Sequence, residues 1–129
     1  MLNLFWIFLG GGLGSVCRYG ISKLLAGNHF DFPFATLLAN IISCIILGCL
    51  FGVTLKNGLT DNAKLLWMTG FCGGFSTFST FSIETFLLFE SGQTGYALLN
   101  IGVSLLVCLL AIYIGIKISG NFLTLSSSI

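Results

Sequence analysis

The sequence predicts an all-α membrane protein made of four membrane-crossing helices in a single domain, residues 1–129. Hydrophobic residues make up 56% of the chain and charged residues only 7%, whereas soluble domains carry about a quarter charged residues. Four apolar segments reach the length of about 20 residues that a helix needs to cross the hydrocarbon core. The net charge of +1 and the lack of a basic patch argue against nucleic acid as a partner.

The first segment, about residues 2–25, repeats small residues at helical spacing. Gly10, Gly14 and Arg18 are four residues apart, and the glycine pair is typical of a close helix–helix contact. Arg18 keeps its charge at any relevant pH, so we expect its side chain to reach the membrane interface. There it could also draw anions toward a vestibule, a second role that is compatible with the first.

The second segment, about residues 34–55, carries a polar face. Thr36, Asn40 and Ser43 share one side of the helix, where polar groups are costly unless they meet a partner or a water-filled path. For the hydroxyls, hydrogen bonds that hold the bundle together are the simpler interpretation. The Asn40 amide has more donors than a helix backbone can use, so a donor-lined path and a structural contact remain equally open.

The third segment, about residues 63–89, contains the string GFCGGFSTFSTFS from Gly70 to Ser82. Two adjacent glycines, Gly73 and Gly74, and the hydroxyls that follow them weaken a helix. They predict a break near the middle of this crossing. Carbonyls freed by a break in hydrocarbon need partners, and a small cation held by converging carbonyls is one way to satisfy them.

Phenylalanines recur every three residues after the glycines, at Phe75, Phe78 and Phe81, with Ser and Thr between them. Ordinary packing is the simpler interpretation of aromatic spacing. However, these rings are interleaved with hydroxyls and follow the predicted break directly. Because the edge of a ring is electropositive, an anion that passes the rings would be weakly attracted without being trapped.

The fourth segment, about residues 95–118, places Asn100, Ser104 and Cys108 four residues apart on one face. The row has the same two interpretations as the polar row of the second segment: it lines a path for a solute, or it makes contacts between helices. A further glycine pair, Gly48 and Gly52 of the second segment, predicts another close helix contact.

The basic residues give the chain almost no preferred orientation. One side of the membrane receives Lys56, Lys64 and Lys117, and the other receives Arg18 and Lys23. Insertion in both directions, with opposite copies paired about a two-fold axis in the membrane plane, and a weak single orientation are comparable interpretations. Four helices make a thin bundle, so a polar path would need lining from more than one copy.

The cysteines and the histidine do not predict a metal site, a disulfide framework or a proton sensor. The five cysteines lie in apolar surroundings without a C-x-x-C pair, so neither a zinc site nor a disulfide framework is expected. The single histidine, His29, lies in the first polar connection. A solvated loop residue is a simpler interpretation of it than a proton sensor.

No nucleophile–base pair is recognisable in the sequence, so we expect no enzyme.

The Gly70–Ser82 string, the pair Arg18–Tyr19 and the stretch TLLAN from Thr36 to Asn40 resemble the Fluc (CrcB-type) fluoride channels. The likeness extends over essentially the whole chain. It implies an antiparallel, dual-topology homodimer with two fluoride pathways along the dimer interface and a structural Na⁺ at its centre. It also implies a location in the cell membrane, by expectation the plasma membrane of a bacterium.

The resemblance also implies roles for individual residues of this chain. Backbone carbonyls of Gly73 and Ser76 would bind the sodium ion. Asn100 stands where many members of the family have Tyr, and Glu84 stands at a recurrent acidic position whose role is open. The side chains that would line the fluoride pathway are those of Thr36, Asn40, Phe78, Phe81, Asn100 and Ser104.

The expected function is therefore the passive export of cytoplasmic fluoride, which reduces fluoride toxicity. Two alternatives remain. A small proton-coupled multidrug exporter needs a carboxylate deep in a helix, for which Glu84 is the available candidate. A non-transporting membrane assembly protein would use its polar rows only for contacts between helices.

Overall fold

The computed structural model describes residues 2–27, 31–56 and 58–126, and only the backbone of residues 121–126. His29 lies outside these residues. All the secondary structure in the described ranges is helical. In chain order the elements are α1 (Leu2–Leu25), α2 (Phe34–Thr54), α3 (Asp61–Ala63), a π-helical segment (Lys64–Cys72), α4 (Gly73–Phe75), α5 (Phe78–Glu90) and α6 (Thr94–Ser126).

Three helices in the described ranges are long and apolar enough to cross a membrane: α1, α2 and the stretch Thr94–Gly120 of α6. The predicted third crossing is a series of shorter helical pieces, from α3 to α5, with an interruption before α5. The predicted ends of α1 agree with the structure, whereas α6 continues past the predicted end at residue 118. The prediction of an all-α membrane protein is confirmed.

Helix α1 packs against the π-helical segment and α4 through glycines. A Cβ atom added at Gly10 would collide with the carbonyl of Leu66, and one at Gly14 with the carbonyl of Phe71. From the other side, a Cβ at Gly74 would collide with the carbonyl of Gly11. The predicted close contact at Gly10 and Gly14 is confirmed, because only residues without a side chain allow backbones to approach this closely.

Helices α2 and α6 form a second close pair. Gly48 lies against the carbonyl of Ile112, and Gly52 lies against Ser119 and the carbonyl of Ile116. The predicted contact at Gly48 and Gly52 is therefore confirmed. Because both contacts advance by one turn on each helix, α2 and α6 run in the same direction in a fixed register. That register places Asn40 level with Ser104.

The break in the third crossing is real, but it does not occur at the glycines. Gly73 has helical angles, φ −65° and ψ −35°. The backbone opens at Ser76 and Thr77, which are extended, with ψ of 156° and 115°. The predicted break near the middle of the crossing is therefore confirmed. It falls at the two hydroxyl residues after the glycines, whereas Gly74 remains in close contact with α1. The new helix α5 starts instead where the Thr77 hydroxyl accepts the Thr80 N–H at 3.1 Å, as an N-cap does.

Candidate functional site

A groove at the break collects many of the residues singled out from the sequence. Its volume is about 270 Å³, and it lies between α2, the extended residues, α5 and α6. The predicted site residues that line it are Asn40, Ser76, Phe78, Phe81 and Ser104. Within the described part of the chain, the structure therefore brings residues from three distant stretches of sequence to one surface.

The Asn40 amide pairs with the opened backbone on both of its sides. The Thr77 N–H donates to Asn40 Oδ1 at 2.7 Å, and Asn40 Nδ2 donates to the Thr77 carbonyl at 3.4 Å. The amide thereby replaces the helical partner that Thr77 has lost, as a buried N–H requires. An amide nitrogen has two hydrogens, so a second donor remains at the groove. The two interpretations of Asn40, structural contact and donor, are compatible in this geometry.

The carbonyls before the break differ in how they are satisfied. The Cys72 carbonyl accepts from Ser76 N at 3.0 Å, Ser76 Oγ at 2.9 Å and Ser43 Oγ at 3.0 Å. The Gly73 carbonyl, by contrast, lacks its usual helical donor, because the Thr77 N–H bonds Asn40. Ser76 is itself extended, so its carbonyl leaves the helical ladder.

These two carbonyls, of Gly73 and Ser76, have the chemistry that hard cations prefer, neutral backbone oxygen. Gly73 is exposed, and no atom from another part of the described chain lies within 4 Å of the position a Cβ would take there. Two oxygens are too few for a hard cation, so a cation at this position needs ligands from outside the chain. In the described residues, no group of three His, Cys, Asp or Glu side chains is placed to hold a metal ion.

Two of the three phenylalanines after the glycines face the groove. The ring centroids of Phe78 and Phe81 are 5.5 Å apart with the planes tilted by 37°, and the Phe78 side chain is 77% exposed. Phe75 is buried and packs on Phe71, with centroids 5.5 Å apart. The interpretation as ordinary packing is thus correct for Phe75, whereas Phe78 and Phe81 present ring surface to the groove.

Asn100 lies behind the groove instead of in its wall. It is 1% exposed; its Nδ2 donates to Thr85 Oγ1 at 2.8 Å, and its Oδ1 accepts from Ser104 Oγ at 3.3 Å. Thr85 in turn donates to the Phe81 carbonyl at 2.7 Å. This chain of hydrogen bonds connects α6 to the helix that carries the rings. The sequence analysis missed Thr85, although its position four residues after Phe81 indicates the same face of α5.

Thr36 contacts an acid instead of the groove. Its hydroxyl donates to Glu84 Oε1 at 2.8 Å. The other carboxyl oxygen, Glu84 Oε2, is buried and has no hydrogen-bond partner among the described residues. Glu84 lines a separate cavity that also includes Asp31 and Ser91. Thr36 and Glu84 therefore continue the polar row one turn beyond Asn40, toward the end of the bundle at the first polar connection.

Arg18 lies apart from the groove, half-buried on α1. The ion pair among the described residues is Lys64–Asp61, with Nζ and Oδ1 3.1 Å apart, so no carboxylate of the described residues pairs with Arg18. The vestibule role of Arg18 stays a prediction.

Comparison with known proteins gives one family. The model of the family described as "CrcB-like protein, Camphor Resistance (CrcB)" matches residues 5–116. The chain is 40% identical to a fluoride-specific ion channel FluC of Azobacteroides pseudotrichonymphae over 115 residues, 88% of this chain and 92% of the relative. A protein of the same name from Flavobacterium psychrophilum is 40% identical over 92% of this chain and 98% of its own length. One from Klebsiella pneumoniae is 45% identical over 78% and 80%.

Proposed function

We propose, because this chain belongs to the CrcB-like family, that it is a channel that conducts fluoride passively across the cell membrane. The chain is a multi-pass membrane protein. The observation that carries the proposal is the groove at the break, where Asn40, Phe78 and Phe81 lie together with Ser104. A protein of this kind moves an ion and transforms no substrate, so we expect no enzymatic activity.

The lining suits a small anion that must leave its water. The free hydrogen of Asn40 Nδ2 and the edges of the two rings offer positive charge to the anion. The Ser104 hydroxyl now donates to Asn100 across 3.3 Å, a long and therefore weak bond. Turning this hydroxyl toward the groove would supply a further donor at small cost. Several weak partners in series allow an anion to enter and also to leave.

A second copy of the chain would complete the path. In a single chain the groove is open on one side, since Phe78 is 77% exposed and the Gly73 backbone has open space around it. We propose an antiparallel homodimer, with the carbonyls of Gly73 and Ser76 from both copies around a sodium ion. The ion would supply a fixed positive charge, which lowers the energy of an anion in a low dielectric.

The direction of flow follows from the membrane potential. Hydrogen fluoride enters a cell as the neutral acid and dissociates in the more alkaline cytoplasm. A potential that is negative inside then favours exit of the anion by about 2.3 kcal/mol per 100 mV, roughly a fifty-fold equilibrium gradient. No motif for nucleotide binding occurs in the sequence, which agrees with passive export.

A fluoride electrode tests the proposal. Liposomes that contain the purified protein should release fluoride when a counter-ion pathway is opened, and should retain chloride. Phe81→Ile should slow efflux about tenfold, since the branched side chain offers no electropositive ring edge. Phe86→Ile is the matched control, because Phe86 is an exposed ring of α5 outside the groove. Fluoride retained by vesicles with folded protein would overturn the proposal.

Variants of Asn40 separate the channel from the two alternatives. Asn40→Asp keeps the Oδ1 acceptor for the Thr77 N–H but places a negative charge in the groove. We expect a folded dimer with efflux reduced at least about a hundredfold, because like charges repel by several kcal/mol at protein dielectrics. A non-transporting assembly protein would release no fluoride as the wild type, and Asn40→Leu would disturb its folding or dimerisation. Transport of lipophilic cations without fluoride would indicate an exporter.

A further inference from the structure

Two cysteines lie side by side in the wall of the groove. Cys44 is on α2, one turn after Asn40, and Cys108 is on α6, one turn after Ser104. Both side chains line the groove, and each lies one turn before a residue of the α2–α6 backbone contact, Gly48 and Ile112. Both are free thiols and both are half-buried.

The packing of α2 on α6 explains this proximity. One turn beyond the two cysteines, Gly48 lies directly against the carbonyl of Ile112. Because Gly52 lies against the carbonyl of Ile116 in the same register, the residues one turn earlier also face each other. Cys44 is thereby level with Cys108 on two helices whose backbones are in contact, so the pair is held by the fold and does not depend on flexible loops.

We propose that Cys44 and Cys108 form a two-thiolate binding site for a soft monovalent metal cation, Cu⁺ or Ag⁺, in the wall of the groove, and that the bound cation closes the groove to fluoride. Soft cations select thiolate ligands, and Cu⁺ and Ag⁺ accept two of them in a linear arrangement. In binding, each thiol loses a proton to water and the metal forms two metal–sulfur bonds. No electron is transferred.

The charge of the complex explains the block. Two neutral thiols become two thiolates that share one cation, so the occupied site carries one net negative charge. It lies in the same groove as Asn40 and Phe81, with mostly apolar walls, where repulsion between like charges is weakly screened. The effect on fluoride conduction rests on the proposed function, whereas metal binding by the two thiols does not.

The binding test uses silver ion as the probe. The purified protein is incubated with silver nitrate in detergent, washed with a competing monothiol, and analysed for silver. We expect about one retained silver ion per chain, and loss of that ion in Cys44→Ser and in Cys108→Ser. Cys17→Ser and Cys49→Ser are the matched controls, because neither residue lines the groove, and they should retain the metal. Equal silver in wild type and in both groove variants would overturn the site.

The conduction test uses the same silver-loaded protein after reconstitution into liposomes in nitrate buffer. Loaded wild type should release fluoride about tenfold more slowly than unloaded protein, because of the added negative charge, and dithiothreitol should restore the rate. In each groove variant the loaded and unloaded rates should be equal. Retained silver with unchanged efflux would overturn the block. If unloaded wild type conducts no fluoride, the proposed function fails, while the silver content still decides the site.

Discussion

The two halves of the third crossing are held in the bundle by different forces. The first half, the π-helical segment Lys64–Cys72 with α4, contacts α1 backbone to backbone through glycines. The second half, α5, is tied to α2 and α6 through side-chain hydrogen bonds, such as that of Thr85 with Asn100. The glycine contacts of the first half leave no room for added volume, whereas the second half exposes side chains while it keeps its polar contacts. The break separates an element held by backbone packing from one that lines the groove.

The largest expected loss of stability comes from a substitution at the glycine contact between α1 and the first half. Gly14→Ala adds a Cβ that would collide with the carbonyl of Phe71, and backbone cannot move aside as a flexible side chain can. We expect the free energy of unfolding to fall by about 3 kcal/mol, the upper end of the usual cost of overpacking. Thermal unfolding in detergent measures it.

The control for this substitution is Gly12→Ala on the same helix, where no atom lies within 4 Å of the added Cβ. It should cost nothing, since alanine is the better helix former. Equal stability of Gly14→Ala and Gly12→Ala would contradict the close contact of α1 with the first half.

An intermediate effect is expected at the start of the second half. Thr77→Ala removes the hydroxyl that accepts the Thr80 N–H and donates to the Thr80 hydroxyl at 3.0 Å. Loss of an N-cap costs between about 1 and 2 kcal/mol of stability. Ser82→Ala is the matched control, because that exposed hydroxyl bonds only its own helix, at the Phe78 carbonyl. An equally small loss in both variants would mean that the cap does not determine where α5 begins.

The smallest expected effect concerns the hydrogen bond between Thr85 of α5 and Asn100 of α6. A double-mutant cycle of Thr85→Val with Asn100→Leu should give a coupling energy of about 0.6 kcal/mol, the usual size of a hydrogen bond between membrane helices. The same cycle with Ser82→Ala in place of Thr85→Val should give none. A coupling near zero for Thr85 would show that α5 is held by packing, as the first half is.

Much of the fold could be predicted because it depends on local properties. The length of an apolar run decides whether a helix can cross hydrocarbon, and the run from Leu2 to Leu25 was predicted with its observed bounds. Glycine spacing along one helix face is equally local, so the contacts at Gly10 and Gly48 could be predicted without knowing their partners. The gathering of Asn40, Phe78, Phe81 and Ser104 was predicted only through the family resemblance.

Other features depend on partners that are distant in the sequence. The two glycines and the hydroxyls after them predicted a break near the middle of the third crossing but not the residue at which it occurs, because a helix in hydrocarbon opens only where the freed groups find new partners. Asn40 supplies that partner to Thr77 across a separation of 37 residues. Asn100 was predicted to line the pathway, yet the packing of α5 on α6 places it against Thr85.

By itself, then, the sequence determined that this chain is helical, that it resides in a membrane, and which of its residues carry donors and aromatic rings. These are properties of composition and of spacing along a single helix. Only the tertiary structure decided that the backbone opens at Ser76 and Thr77, that Phe75 is buried while Phe78 is exposed, and that Cys44 and Cys108 line one groove. Each of these outcomes needs two helices in a particular register, and register arises from backbone contacts that no single segment contains.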